Sequence, residues 1–109
     1  SVVFVTGHED IKKKKDSVKW KKLAKSVDTI VIMMGLSRLD MICKDLISGG
    51  LDKKTPVAVI QDGTTPKHRM VKGNLSDISS KVKQAKIKPP SIIIVGKVVN
   101  LSDIIGWRK

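Results

Sequence analysis

Side chains able to do covalent or metal chemistry are few in this chain. His8 and His68 are its histidines and Cys43 its one cysteine. With Cys43 on the apolar stripe of a predicted helix, these three do not make a metal set of three or four ligands. No Gly-x-Ser-x-Gly elbow is present, so a nucleophilic serine has no seat. Gly35 runs into Leu36-Ser37-Arg38, and Gly63 has no second glycine at the spacing of a dinucleotide or phosphate loop. No catalytic side chain and no metal site are therefore expected. What remains are three turns that carry glycine: Thr6-Gly7-His8, Met33-Met34-Gly35 and Asp62-Gly63-Thr64-Thr65-Pro66. Glycine lets a ligand approach backbone amides and carbonyls closely, which favours backbone recognition of a ligand over side-chain catalysis. The same glycines also serve simply to let the chain leave a strand.

The elements that must position these turns follow from apolar periodicity. Val2–Val5 reads as a strand ending at Thr6-Gly7. From Ser17, the apolar residues Trp20, Leu23, Ala24 and Val27 recur at helical spacing with lysines between them, so a helix with Trp20 in the core is predicted. Asp28–Met34 is a second strand, its centre Thr29-Ile30-Val31-Ile32 apolar on both faces. Ser37-Arg38-Leu39-Asp40 has the spacing of a capping box, and Leu39, Ile42, Cys43, Leu46 and Ile47 form the stripe of the helix it opens. Gly49-Gly50 ends that helix. Pro56–Gln61 and Arg69–Lys72 read as a hairpin around the Gly63 turn. Asn74-Leu75-Ser76-Asp77 repeats the capping logic before a helix with Leu75, Ile78, Val82 and Ala85 on one side, stopped by Lys88-Pro89-Pro90. Ser91–Val99 is the last strand, interrupted in character at Gly96, and Asn100–Trp107 a short terminal helix. The order β-α-β-α-β-β-α-β-α predicts an α/β domain with a mixed, largely parallel open sheet of about five strands and flanking helices. In such sheets ligands bind beyond the carboxyl ends of the strands, where all three turns are expected.

Composition bounds the partners. The 109 residues hold 22 basic and 10 acidic side chains, a net charge of +12, with eight lysines against the single Asp16 between Lys12 and Lys25. This field attracts polyanions of any kind, and a solvated lysine-rich helix face would look the same. Nucleic acid would ask for stacking platforms, yet aromatics make up only 3% of the chain and each fits an apolar pattern. The longest apolar runs, Ile30–Met34 and Ser91–Val95, fall far short of the roughly 18–20 residues that cross a bilayer, so no membrane partner is expected. One cysteine cannot form an internal disulfide, which fits a reducing compartment and makes the cytoplasm the expected location. An opening on Ser1-Val2-Val3-Phe4, without methionine, reads as a piece of a longer protein.

Six segments carry a resemblance: Ser1-Val2-Val3-Phe4-Val5-Thr6-Gly7-His8, Ile32-Met33-Met34-Gly35-Leu36, Thr55-Pro56-Val57-Ala58-Val59-Ile60, Asp62-Gly63-Thr64 followed by Arg69, Gly73-Asn74-Leu75-Ser76-Asp77-Ile78, and Pro89-Pro90-Ser91-Ile92-Ile93-Ile94-Val95-Gly96-Lys97-Val98-Val99, with Trp107 behind them. In order and spacing they resemble the C-terminal half of the tetrapyrrole methylases over essentially all 109 residues, and the His8 and Gly-Thr turns favour the members that methylate uroporphyrinogen III. The resemblance implies methyl transfer from S-adenosylmethionine to two ring carbons, giving precorrin-2 on the route to sirohaem and cobalamin. It implies cofactor binding in a cleft between two α/β domains. It assigns Met34 and Gly63 as cofactor contacts and puts Ala58 on the strand beside the adenine, with Gly35 and Thr64 joining from the same turns. Met33 replaces the family's tyrosine, which keeps an apolar wall and removes a hydroxyl. The family's glycine-rich N-terminal domain has no counterpart in these residues, so the isolated chain is expected to be inactive. Family members are homodimers, and some are fused to a uroporphyrinogen-III synthase domain. Another precorrin methylase, a basic nucleic-acid-binding module and a half-domain that only mediates assembly are the competing readings.

Overall fold

The computed structural model describes residues 1–6, 19–61 and 69–100. Five strands, β1 (Val2–Thr6), β2 (Thr29–Met33), β3 (Pro56–Gln61), β4 (Arg69–Asn74) and β5 (Ser91–Val95), form one open sheet in the order β1-β2-β5-β3-β4. The helices are α1 (Trp20–Leu23), α2 (Leu39–Ser48) and α3 (Ile78–Ala85). The five-stranded α/β sheet with flanking helices is as expected, but its neighbours are not largely parallel. Only β1 and β2 pair parallel, while β2 with β5, β5 with β3 and β3 with β4 are antiparallel.

The reason lies in the interleaving of the strands. Strands joined through a helix keep a common direction, as right-handed crossovers require: β1, β2 and β3 run one way. The hairpin then reverses the chain, and β4-α3-β5 is a second crossover whose two strands run the other way. Because β5 inserts between β2 and β3, every contact it makes is antiparallel.

One face of the sheet carries the main core. Ile30, Ile32, Val57, Val59, Ile93 and Val95 pack with Trp20 and Ala24 from the α1 segment, Leu39, Ile42, Cys43 and Leu46 from α2, and Ile78 and Val82 from α3. Trp20 and Cys43 are thus core residues, as their helical spacing predicts. Burial pushes the Cys43 thiol up to about 12, with the Asp40 carboxylate acting in the same direction.

Local signals mostly operate where they are read. At Asn74 the reciprocal bonds form around the turn that leads into α3, which itself starts at Ile78 behind Asp77: the Asn74 side-chain oxygen accepts from the Asp77 amide at 3.1 Å and the Ser76 amide at 2.9 Å, and the Asp77 carboxylate accepts from the Asn74 amide at 2.8 Å. Helix α2 ends with Gly50 at φ 119°, the Leu51 amide donating to the Leu46 carbonyl and the Gly50 amide to that of Ile47. Helix α3 ends the same way with a lysine in the glycine position: Lys86 has φ 58°, and the Ile87 amide reaches the Val82 carbonyl.

Three expectations are corrected. The Ser37 capping box does not form: Leu36–Arg38 is already a 3-10 turn, so Ser37 lies inside helical backbone, and α2 starts behind Arg38 without a side-chain cap. Helix α1 closes after Leu23 instead of running to Val27, because the Ser26 hydroxyl donates to the carbonyls of Lys22 and Leu23. Strand β5 stops at Val95, where Gly96 turns to φ 139° and its amide donates to the Pro56 carbonyl; a 3-10 turn, Lys97–Asn100, follows. The predicted start of the first helix at Ser17 and most of the terminal helix lie outside the described residues.

Candidate cofactor edge

Register fixes which residues meet at the carboxyl ends of β1, β2 and β3. Thr6 pairs with Met33, Met33 with Ile92, Ile92 with Ile60, and Gln61 with both Ser91 and Arg69. The stems of all three glycine turns therefore leave the sheet at one edge, although Gly7, His8, Gly63, Thr64 and His68 themselves lie outside the described residues. Strand β5 separates β2 from β3, so the Met34-Gly35 turn and the stem of the Gly63 turn stand roughly 10 Å apart, two strand spacings.

Met34 is the unusual residue of this edge. It has φ 60° and is 60% exposed, a left-handed backbone that costs a non-glycine residue free energy while most of the residue stays in solvent. Gly35 behind it is buried and explains why the turn holds this shape. A Cβ at Gly35 would lie 2.7 Å from Ile32 Cγ2, 3.3 Å from Ile42 Cδ1 and 3.4 Å from Ile93 Cδ1, so the backbone is seated flush on the core. The Gly35 carbonyl also accepts from the Arg38 amide at 3.1 Å. Met33 and Ile92 add an exposed apolar pair beside the turn, 41% and 42% exposed. At the far side of the gap the Gln61 side-chain oxygen accepts from the Lys88 amide at 2.7 Å, tying the end of β3 to the segment that enters β5.

Sequence reasoning brought Met34 and Gly35 to this edge, and the structure places both there. Ala58 sits two residues below this edge: it pairs with Ile94 and Lys72 and is 2% exposed. Ile92 and Gln61 were missed as site neighbours. Their signal was positional, the first apolar residue after Pro89-Pro90 and the last residue before the Gly63 turn, but only the pairing of β5 with both β2 and β3 joins them. Among the described residues no group of three histidine, cysteine or acidic side chains could hold a metal, and no helix is long and apolar enough to cross a membrane.

The family description Tetrapyrrole (Corrin/Porphyrin) Methylases matches residues 1–79. The chain belongs to the tetrapyrrole methylase family. This methylase chain is 44% identical over 108 residues to the S-adenosyl-L-methionine-dependent uroporphyrinogen III methyltransferase of Methanosarcina barkeri, covering 99% of this chain and 42% of that protein. It is 44% identical over 107 residues to the siroheme synthase of Pseudoalteromonas atlantica, covering 98% of this chain and 23% of that protein. Its fold superposes with a TM-score of 0.76 on the uroporphyrin-III C-methyl transferase of Thermus thermophilus complexed with S-adenosyl homocysteine, at 28% identity, over 93% of this chain and 43% of the other. The methylase chain thus spans less than half the length of these relatives.

Proposed function

We propose that this chain is the C-terminal domain of an S-adenosylmethionine-dependent methyltransferase that converts uroporphyrinogen III to precorrin-2 for sirohaem and cobalamin synthesis. The observation that carries the reading is Met34, an exposed methionine held at φ 60° at the carboxyl end of β2 by a glycine seated flush on the core. The residues present fit the cofactor: Met33, Met34 and Ile92 offer an apolar surface to an adenosyl group, and by the family resemblance Gly63 and Thr64, which lie outside the described residues, join them. When bound, S-adenosylmethionine supplies an activated methyl group on a sulfonium, so the protein needs no nucleophile of its own. What the chain contributes is placement: Gly35 fixes the Met34 turn, Gln61 fixes the opposite stem, and the held cofactor presents one face to the acceptor.

The substrate follows from the relatives' names and from charge. Uroporphyrinogen III carries eight carboxylates, and a +12 chain is a favourable neighbour for it. In this reading the acceptor is held between this domain and an N-terminal domain of the same polypeptide, the enzyme is a homodimer in the cytoplasm, and the isolated chain does not turn over.

Isothermal titration calorimetry of S-adenosylhomocysteine into the polypeptide that carries both domains tests this. Saturable binding is expected, weakened at least tenfold by Met34→Asp and by Gly63→Trp and unchanged by Lys53→Gln on an exposed turn. Binding of wild-type strength in both site variants would sink the proposal and leave a domain that serves assembly.

A further inference from the structure

Five strand ends meet at the cofactor edge, those of Thr6, Met33, Ser91, Gln61 and Arg69, and Arg69 is the charged residue among them. It opens β4 directly opposite Gln61, which is paired on its other side with Ser91. Residues opposite one another in a sheet project to the same side, so Arg69 extends the row of Ser91 and Gln61 to the outer strand. On β2 this outermost row comes level with Met34, one residue past the Met33–Ile92 pair. Three strand spacings, from β2 over β5 and β3 to β4, set the Arg69 backbone roughly 14 Å from that of Met34. Arg69 is exposed, and among the described residues no carboxylate pairs with it. Its type is also uncommon in this chain: of 22 basic residues three are arginine, Arg38, Arg69 and Arg108. Lysine supplies most of the surface charge, whereas arginine adds a planar fork of donors that grips a carboxylate through two parallel bonds.

We propose that Arg69 is a specificity-determining residue for the methyl acceptor, its guanidinium taking one carboxylate of the tetrapyrrole at the outer end of the cofactor edge. This rests on the reading above, in which uroporphyrinogen III lies against the held cofactor. The edge divides by chemistry. Met33, Met34 and Ile92 form an exposed apolar end, and across Ser91 and Gln61 the edge becomes polar and then positive at Arg69. The Gln61 side-chain oxygen is already engaged by the Lys88 amide, which leaves the guanidinium as the charged donor of this row. An acceptor that carries eight carboxylates around its ring, and brings one ring carbon to the methyl group, directs other carboxylates outward along the edge. One that points towards β4 meets a guanidinium with no ion pair to break among the described residues, so nothing is given up when it binds. A contact this far from the reacting carbon selects an acidic acceptor and fixes its register against the cofactor, without taking part in the transfer itself.

Steady-state methylation of uroporphyrinogen III by the polypeptide that carries both domains tests this, comparing wild type with Arg69→Gln, Arg69→Lys and Lys53→Gln. Arg69→Gln is expected to raise KM for uroporphyrinogen III about tenfold or more, the loss of one charge-assisted pair, with kcat within about twofold of wild type. Arg69→Lys should recover part of that loss, because it restores the charge without the fork. Lys53→Gln removes the same unit of charge from an exposed turn and should leave KM unchanged. Affinity for S-adenosylhomocysteine by calorimetry and the midpoint of urea unfolding should be the same in all four proteins. A wild-type KM in Arg69→Gln, an equal rise in Lys53→Gln, or a parallel loss of cofactor affinity or stability in Arg69→Gln would each overturn the proposal. Any of these leaves the methyltransferase reading intact as long as wild type turns over; a wild type that leaves uroporphyrinogen III unmethylated sinks that reading and this proposal with it.

Discussion

Replacing Met34 by glycine is predicted to stabilise the fold and weaken the cofactor site in one step. The left-handed conformation costs a side-chain-bearing residue about 1–2 kcal/mol relative to glycine, while glycine returns about 0.5–1 kcal/mol through the extra freedom of the unfolded chain. Little packing is lost, because the Met34 side chain is mostly in solvent. The net expectation is a gain of about 0.5–1 kcal/mol, which for a domain of this size corresponds to a rise in Tm of about 2–4 °C. Lys86→Gly is the internal control, since Lys86 has nearly the same φ, 58°, is exposed, and ends α3 in a Schellman motif. Both variants should gain similar stability in urea or thermal unfolding, and only Met34→Gly should lose affinity for S-adenosylhomocysteine in the two-domain polypeptide. If Met34→Gly destabilises while Lys86→Gly stabilises, the methionine side chain is packed and the argument from strain fails. If both gain stability and cofactor affinity is untouched, strain at Met34 has no bearing on the ligand.

Two further outcomes follow from the core. Gly35→Ala should cost about 1–2 kcal/mol, the overpacking of a methyl against fully buried Ile32 exceeding the unfolded-state gain of about 0.4–1 kcal/mol that alanine brings; Gly35 has φ −108°, so alanine meets no backbone strain, and unchanged stability in urea would refute the close approach. Cys43 holds its proton to about 12 in the folded state against 9.0 unfolded, so its contribution is fully present below pH 9 and is lost as the pH rises from there towards 12. The stability difference between wild type and Cys43→Ala should accordingly narrow between pH 9 and 11 in urea titrations, and the thiol should resist iodoacetamide at pH 8 until the chain is unfolded; a constant gap or prompt alkylation contradicts the burial.

The order of elements from β1 to β5, the reciprocal bonds at Asn74, the stop at Gly50 and the core positions of Trp20, Cys43, Ile42 and Ile78 were legible in the amino-acid order. Each depends on contacts within a few residues or on a single periodicity, which a local stretch of sequence carries entirely. The strand-end turns at Met34 and Gly63 were equally visible as glycine punctuation, and the resemblance of these stretches to a methylase half named the family. What local pattern does not carry is which strand edge a late segment will occupy. Strand β5 could pair with any open edge as far as its own residues are concerned; it is drawn between β2 and β3 because there Ile93 is buried fully from both sides, and that choice makes the sheet mainly antiparallel. The same insertion sets Ile92 beside Met33, ties Gln61 to Lys88 and sinks Ala58 below the edge. Local hydrogen bonding decides what each segment becomes, whereas burial summed over the whole sheet decides who its neighbours are, and in this protein the neighbours make the site.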